Sequence, residues 1–323
     1  MQEFINVPAE KLCAFMKEVF VKVGVPPEDA GICSDVLIQS DLRGIESHGI
    51  NRLKMYVDRI EEGTQHPVSK WKIAEDKGAT AVIDAGHGMG HVVAYHAMKL
   101  TIEKAAQYGC SVVTVKNGTH FGIAGYYPLM AVKHNMIGVT MTNARPSVAP
   151  TFGTEPLLGT NPIAFGAPSD MPFPFLLDMA TSITQRGKIE VLEKLGKPTP
   201  EGWVVDRGGK SATDSKGILE DLTRGEAALL ALGGIDELGG GHKGYGLSTM
   251  VEILSAALSN ANYLRETCGV KEGENVPLGL GHFFLAINVS HFIHLDLFKR
   301  IVGNIMRELS SSRKAPGDRK SVV

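Results

Sequence analysis

The sequence predicts a mixed α/β protein, α+β rather than strictly alternating, with a helical N-terminal region and a sheet that is not of Rossmann type. Three observations lead there. The chain as far as Ile60 shows only helical periodicity. From Ala81 onward, short apolar runs bounded by Gly, Pro and Asn read as strands. Strands and helices then mix without regular βαβ alternation.

The first helix is expected after Asn6, a capping residue type, and Pro8, which suits a first turn. Leu12, Phe15, Met16, Val19, Phe20 and Val23 keep the period until Gly24. Pro26-Pro27-Glu28 opens a second helix running towards Gly44, with Ile32, Val36 and Leu37 on one face, and 50–60 is a third. Residues 81–84 form a strand, Gly86 to Gly90 a turn, and 91–107 a helix. Strands follow at 110–115, 136–142, 163–166 and 175–179, with a short helix over 126–134. Residues 187–194 read as helical and 197–236 as polar and turn-rich. A long apolar helix is expected over 243–264, and a closing one over 290–309. The chain thus divides into a helical region (1–75), an α/β domain (76–265) and a C-terminal piece (266–323) whose helix packs back on the N-terminal region.

Composition narrows the function. The 33 Lys+Arg and 35 Asp+Glu give a net charge of −2, so neither nucleic acid nor an anionic membrane is an expected partner. Cys13, Cys33, Cys110 and Cys268 are far apart, which fits reduced thiols in a cytoplasmic protein rather than a disulfide framework. The opening MQEFINVPAEKL has no basic segment followed by an apolar one, so no secretory leader is expected. The longest uncharged run, 275–295, is broken by glycine, histidine and asparagine and does not read as a membrane span. Glycine is in excess, 37 of 323 residues, which calls for many turns and close backbone approaches.

Gly86-His87-Gly88-Met89-Gly90 resembles a nucleotide loop, but its spacing is GxGxG and the next strand is followed by Lys116 rather than an acid. A tight strand-to-helix turn is the better reading. His87, His91, His96, His291 and His294 lack an HExxH glutamate or cysteine partners, so no metal site is expected. In Asp41-Leu42-Arg43-Gly44-Ile45-Glu46-Ser47-His48-Gly49-Ile50-Asn51-Arg52, a Ser-His pair sits between glycines with an arginine four residues on. The guanidinium can fork a carboxylate while the imidazole moves a proton; a loop histidine beside a surface arginine is the plain alternative.

Further candidates follow. Thr119-His120-Phe121-Gly122 opens a glycine turn after a strand, suited to a flat ring and a phosphate. Gly159-Thr160-Asn161-Pro162 offers a hydroxyl and an amide ahead of a strand. Asp178-Met179-Ala180 ends an apolar strand with a carboxylate that needs a partner, such as a histidine, if it is buried. His242-Lys243 stands at a glycine-rich helix entry, a plausible phosphate contact. Each has an ordinary turn, cap or flexible loop as its alternative.

Together, SDLRGIESHGINR, THFGIAGYY, LLGTNPIAFGAP, LDMATS followed by RGKIE, EGWVVD and GGGHKGYGL resemble, in order and spacing, the malate/L-lactate dehydrogenase family of the second, non-Rossmann type. That family includes sulfolactate, ureidoglycolate and diketogulonate enzymes and a cyclic-imine reductase. The resemblance implies a non-Rossmann nicotinamide-dependent dehydrogenase fold, with NAD or NADP bound by the 76–265 domain, and a homodimer. It implies His48 as proton donor and acceptor, Ser47 and Asp178 as its relay, Arg52 as the carboxylate clamp and Thr160 as a substrate-side hydroxyl. His120, Phe121 and Gly122 correspond to a loop at the nicotinamide, and in some members that histidine is the base, so His120 is a second catalytic candidate. Asp178, Met179, Ala180, His242 and Lys243 correspond to cofactor contacts. The expected reaction interconverts a 2-hydroxy acid and a 2-oxo acid, malate/oxaloacetate or L-lactate/pyruvate. Reduction of sulfopyruvate or a cyclic imine, or a silent ligand-binding relative, are the alternatives; Ser47, His48, Arg52 and Asp178 together speak against silence. The chain closes at Asp318 to Val323 sooner than is usual in the family.

Overall fold

The computed structural model describes residues 6–315, so the opening residues 1–5 and the early close at 318–323 lie outside the described residues. Helix α1 (Ala9–Lys22) starts directly after Pro8, which occupies the cap position without a side-chain hydrogen bond. Asn6 therefore does not cap: the fixed proline φ sets the entry instead. α2 (Pro27–Leu42) begins on a proline, as expected. Two 3-10 turns, Glu46–His48 and Ile50–Arg52, lead into α3 (Leu53–Glu61). Met16, Phe20, Cys33, Leu37, Leu53 and Tyr56 bury one shared face, which continues into Met89 and Val92 at the start of the next helix. The N-terminal helices are thereby fixed to the sheet unit.

That unit begins with β1 (Lys72–Lys77) and β2 (Thr80–Asp84), then α4 (Gly90–Tyr108), β3 (Cys110–Gly118), α5 (Tyr126–Lys133) and β4 (Met136–Thr142). β5 (Ile163–Ala167) and β6 (Phe175–Met179) form a hairpin, followed by α6 (Arg186–Lys194). The segment expected to be only turns holds β7 (Val204–Asp206), α7 (Ser215–Arg224) and β8 (Ala227–Leu229). Asp214 caps α7 by accepting the Gly217 N–H at 3.1 Å, and Ile218 is its buried anchor. α8 (Gly241–Glu252) passes into a π-helical stretch, Ile253–Ala257, and stops well short of residue 264, because Asn260 turns the chain at φ +59°. β9 (Val270–Lys271) and β10 (Glu274–Asn275) make a small hairpin ahead of β11 (Leu280–Asn288) and α9 (Leu295–Ser311).

The seven-stranded sheet runs β1-β2-β3-β11-β4-β5-β6, with β2 and β3 its one parallel pair. A Rossmann sheet would be parallel throughout, so the prediction of a non-Rossmann sheet holds. The centre of the sheet is β11, unassigned in the sequence reading: Phe284 lies opposite Val113 on one side and Thr140 on the other. It comes from the 266–323 segment, and the sheet therefore crosses the expected boundary at 265. α9 is held by a two-pronged contact of Arg307 with Asp170 in the β5–β6 turn, at 3.0 Å on each oxygen.

Candidate active site

The proposed acid–base histidine sits on a loop held at both ends. Ser40 Oγ donates to the Ile45 carbonyl at 2.7 Å, and the Asp41 carboxylate accepts the Ile50 N–H at 2.9 Å. Between them, Ser47 Oγ and His48 Nδ1 are hydrogen-bonded at 2.8 Å. Arg52 Nε donates to the Ser47 carbonyl at 2.6 Å, which ties the guanidinium to the Ser-His pair and leaves both terminal nitrogens without a hydrogen bond among the described residues. Burial, and after it the Arg52 charge, pushes the His48 pKa down to about 4, so the ring is neutral at pH 7.

His120 lies beside it. The two imidazoles stack with centroids 5.6 Å apart at 21°. His120 Nδ1 receives the Gly122 N–H at 3.3 Å and is 2.6 Å from the Tyr56 hydroxyl. A backbone N–H can only donate, so Nδ1 is the acceptor and neutral His120 carries its proton on Nε2. Burial, with His48 and Arg59 adding to it, drives the His120 pKa well below its ordinary range.

A cavity of about 220 Å³ is lined by His48, Gly122, Ala124, Thr160, Asp178 and Ala180 among others. The structure thus brings together five of the residues singled out from the sequence (His48, Gly122, Thr160, Asp178, Ala180), with Ser47 and Arg52 one contact behind. Thr160 is held through its neighbour: Asn161 Nδ2 donates to Glu252 Oε2 at 2.8 Å, and its Oδ1 accepts the Ala144 N–H at 3.1 Å.

Three expectations need correction. Among the described residues Asp178 has no histidine partner; it is exposed at the cavity rim and accepts the Gly125 N–H at 2.8 Å. A Cβ at residue 125 would lie 2.7 Å from its oxygen, so glycine there is what admits the carboxylate. Desolvation still raises the Asp178 pKa, against the lowering effect of that amide. Phe121 is 2% exposed and packs edge-on against Tyr127 and His282, so its ring belongs to the core, and it is the Gly122 to Ala124 stretch that faces the cavity. Met179 is half-buried and lines no part of the cavity.

His242 and Lys243 are exposed on the first turn of α8, outside the cavity wall. Their turn abuts Leu232, whose N–H bonds the Thr181 carbonyl at 2.9 Å, close behind Asp178-Met179-Ala180. The Gly86 to Gly90 loop is packing, as its spacing suggested. A Cβ at residue 90 would collide with the carbonyls of Thr119 and His120, so glycine lets α4 press directly on the His120 backbone.

Tyr56, Arg59, Arg145 and Glu252 were not singled out from the sequence. Tyr56 was within reach, because it is four residues beyond Arg52 on the same helix face. The smooth wall of Gly122, Ala124, Pro162 and Ala180 beside an imidazole leaves room for a planar ring, and the residues present fit a nicotinamide.

Known proteins share this arrangement of sequence and fold. The profile described as malate/L-lactate dehydrogenase matches residues 7–323. This chain belongs to the malate/L-lactate dehydrogenase family. Among its relatives, malate dehydrogenase from Pyrococcus horikoshii is 48% identical over 316 residues, covering 98% of this chain and 85% of the relative. L-sulfolactate dehydrogenase from Methanothermobacter thermautotrophicus is 38% identical over 320 residues, covering 98% and 89%. The crystal structure of malate dehydrogenase from Entamoeba histolytica superposes with a TM-score of 0.95 at 46% identity, covering 98% of this chain and 88% of that one. Membership makes the chain a dehydrogenase of mixed α/β fold, as its motifs implied.

Proposed function

We propose that this chain interconverts a 2-hydroxy acid and a 2-oxo acid with NAD or NADP, malate/oxaloacetate or L-lactate/pyruvate being the first candidates. One observation carries the reading: a neutral His48, its Nδ1 engaged by Ser47, on the wall of a cavity shared with Thr160, Asp178 and Ala180.

Arg52 binds the substrate carboxylate through its two terminal nitrogens, the third being committed to Ser47. The C2 oxygen then lies at His48 Nε2, with the Thr160 hydroxyl beside it. A bound nicotinamide supplies or takes up the hydride at C2. In the oxidative direction His48 accepts the hydroxyl proton at Nε2 while Nδ1–H donates to Ser47 Oγ. In the reductive direction the proton returns to the ketone oxygen. Burial is the larger cause of the depressed His48 pKa; the carboxylate on Arg52 offsets the second, the arginine charge, and so favours the protonated ring during transfer. His120 is the alternative donor. Asp178, Ala180, His242 and Lys243 are the residues that would hold the cofactor, the last by its charge at the start of α8.

The reading extends to a homodimer. Leu297, Ile301, Ile305 and Leu309 recur every four residues along α9 and are all exposed, as are Tyr245, Leu247, Met250 and Ile253 on or just beyond α8. A face this apolar is stable when covered by a second copy. The charge balance and free cysteines fit a cytoplasmic location, and among the described residues no helix is long and apolar enough to cross a membrane.

A substrate panel tests the activity: oxaloacetate, pyruvate, sulfopyruvate and a cyclic imine, each with NADH and NADPH. Turnover of a 2-oxo acid with either cofactor is expected. Turnover of the imine alone would replace the 2-oxo acid reading with the reductase one. Light scattering tests the assembly, with a mass near twice 34.7 kDa expected and the monomer mass counting against it.

A further inference from the structure

The Phe121–Gly122 peptide is held at both of its polar ends. Tyr127 Oη donates to the Phe121 carbonyl at 2.5 Å, the one hydrogen bond which that carbonyl receives among the described residues. The Gly122 N–H donates to His120 Nδ1 at 3.3 Å. A peptide unit is planar and trans, so its C=O and N–H point in opposite directions, and fixing one aims the other. The clamp is itself firmly seated. Tyr127 is wholly buried, its ring edge-on to Phe121 and Phe284 with centroids 5.0 Å and 5.8 Å away. Burial pushes its pKa well above the usual range, so the hydroxyl keeps its proton and stays a donor.

The residue after this peptide is what makes a clamp necessary. Gly122 has φ +82°, and a Cβ there would lie 2.6 Å from Val36 and 3.2 Å from the His91 ring. Only glycine fits, and glycine takes either sign of φ with little preference. The peptide therefore has a second orientation, half a rotation away, that the local backbone does not forbid. In it the Phe121 carbonyl would be aimed at His120 Nδ1. A carbonyl can only accept, so that orientation calls for Nδ1–H, the opposite tautomer. The ring stacked beside His48 would then offer a bare Nε2 in place of an N–H donor. Rotation would also set the Gly122 N–H against the Tyr127 oxygen and leave the hydroxyl proton without an acceptor in the core.

We propose that Tyr127 is a positioning residue for His120: its hydroxyl holds the Phe121–Gly122 peptide in the orientation that keeps the His120 proton on Nε2, and turnover depends on that tautomer. The inference rests on the 2-hydroxy acid reading above and goes beyond it by placing a control on the second histidine. Tyr127 lines no part of the cavity with His48 and acts only through the peptide.

Nitrogen NMR of the full chain with isotope-labelled histidine reads the tautomer, and His120→Gln assigns the signals. The unmodified protein is expected to carry the His120 proton on Nε2. Tyr127→Phe keeps the ring and removes the clamp, and it is expected to show Nδ1–H or a mixture of the two forms. In the same variant kcat for the preferred 2-oxo acid is expected to fall about 5- to 10-fold, with KM for acid and cofactor within about twofold. Placing p-aminophenylalanine at residue 127 returns a donor to the same spot and is expected to restore both tautomer and kcat. Nδ1–H in the unmodified protein overturns the proposal, and this needs no variant. So does an unchanged Nε2–H signal in Tyr127→Phe, a kcat that holds within twofold while the tautomer shifts, or an amine that restores neither. If the unmodified chain turns over no 2-oxo acid, the 2-hydroxy acid reading is what has failed, and the tautomer signals alone decide the role of Tyr127.

Discussion

The Tyr56 hydroxyl lies 2.6 Å from His120 Nδ1, on the same nitrogen that receives the Gly122 N–H. Two donors on one lone pair fix the His120 tautomer with its remaining proton on Nε2. Tyr56→Phe removes one of them and leaves the ring packing intact. Loss of a buried hydrogen bond of this kind costs about 1 kcal/mol, so kcat is expected to fall roughly 5- to 10-fold, with cofactor affinity unchanged in a fluorescence titration. An unchanged kcat would mean that the His120 tautomer plays no part in turnover.

Arg52→Lys tests the clamp. Lysine can neither donate to the Ser47 carbonyl as Nε does nor offer a planar fork. KM for the preferred 2-oxo acid is expected to rise at least about 10-fold. An unchanged KM would place the carboxylate elsewhere.

Glu252 supports the substrate side from behind. Its oxygens accept from Asn143 Nδ2 at 3.1 Å, Asn161 Nδ2 at 2.8 Å and the Leu264 N–H at 2.9 Å, all neutral donors. Glu252→Gln turns one acceptor into a donor facing donors. A loss of about 1–3 kcal/mol is expected, together with a fall in kcat as Thr160 loses its fixed position. Denaturant melts and kinetics on one preparation check this, and full stability with full activity would contradict it.

These predictions draw on residues of unequal legibility. The three N-terminal helices were readable because their apolar residues recur at helical spacing, and the 41–52 loop because Ser, His and Arg are close in sequence. β11 was not: it lies inside an uncharged run with no polar alternation, since both faces of a central strand are covered. β1 was hidden for the opposite reason, as an edge strand exposed at every position. Phe121 was assigned to the cofactor loop on residue type, whereas packing against Tyr127 and His282 takes the ring into the core. Asp178 was given a histidine on the premise of burial, whereas it stands exposed at the cavity rim and takes the Gly125 N–H. Arg59 and Arg145 meet only through the fold, across 86 positions of sequence.

Acid sensitivity follows from the buried histidines. Among the described residues His91 has no hydrogen-bond partner on either ring nitrogen, and burial takes its pKa down to about 3 from 6.5. It therefore stays neutral in the fold while the unfolded chain takes up a proton near 6.5. The stability this represents is complete above pH 6.5 and is lost progressively as the pH falls towards 3. His48 and His282 act in the same direction, with pKa values of about 4 and about 3. The Tm of the unmodified protein is expected to be flat above pH 7 and to drop between pH 6.5 and 4. His91→Leu is expected to drop less over that window. Parallel curves would show that His91 does not carry the effect.

The central claim is that His48 moves the proton at C2. Single-turnover oxidation of NADH or NADPH by the preferred 2-oxo acid, compared in the unmodified protein, His48→Ala and His120→Ala, addresses it directly. A rate reduced by about 10²–10⁴-fold in His48→Ala, with cofactor still bound, is predicted. Near-full turnover in His48→Ala with that loss in His120→Ala would contradict the account and transfer the role to His120.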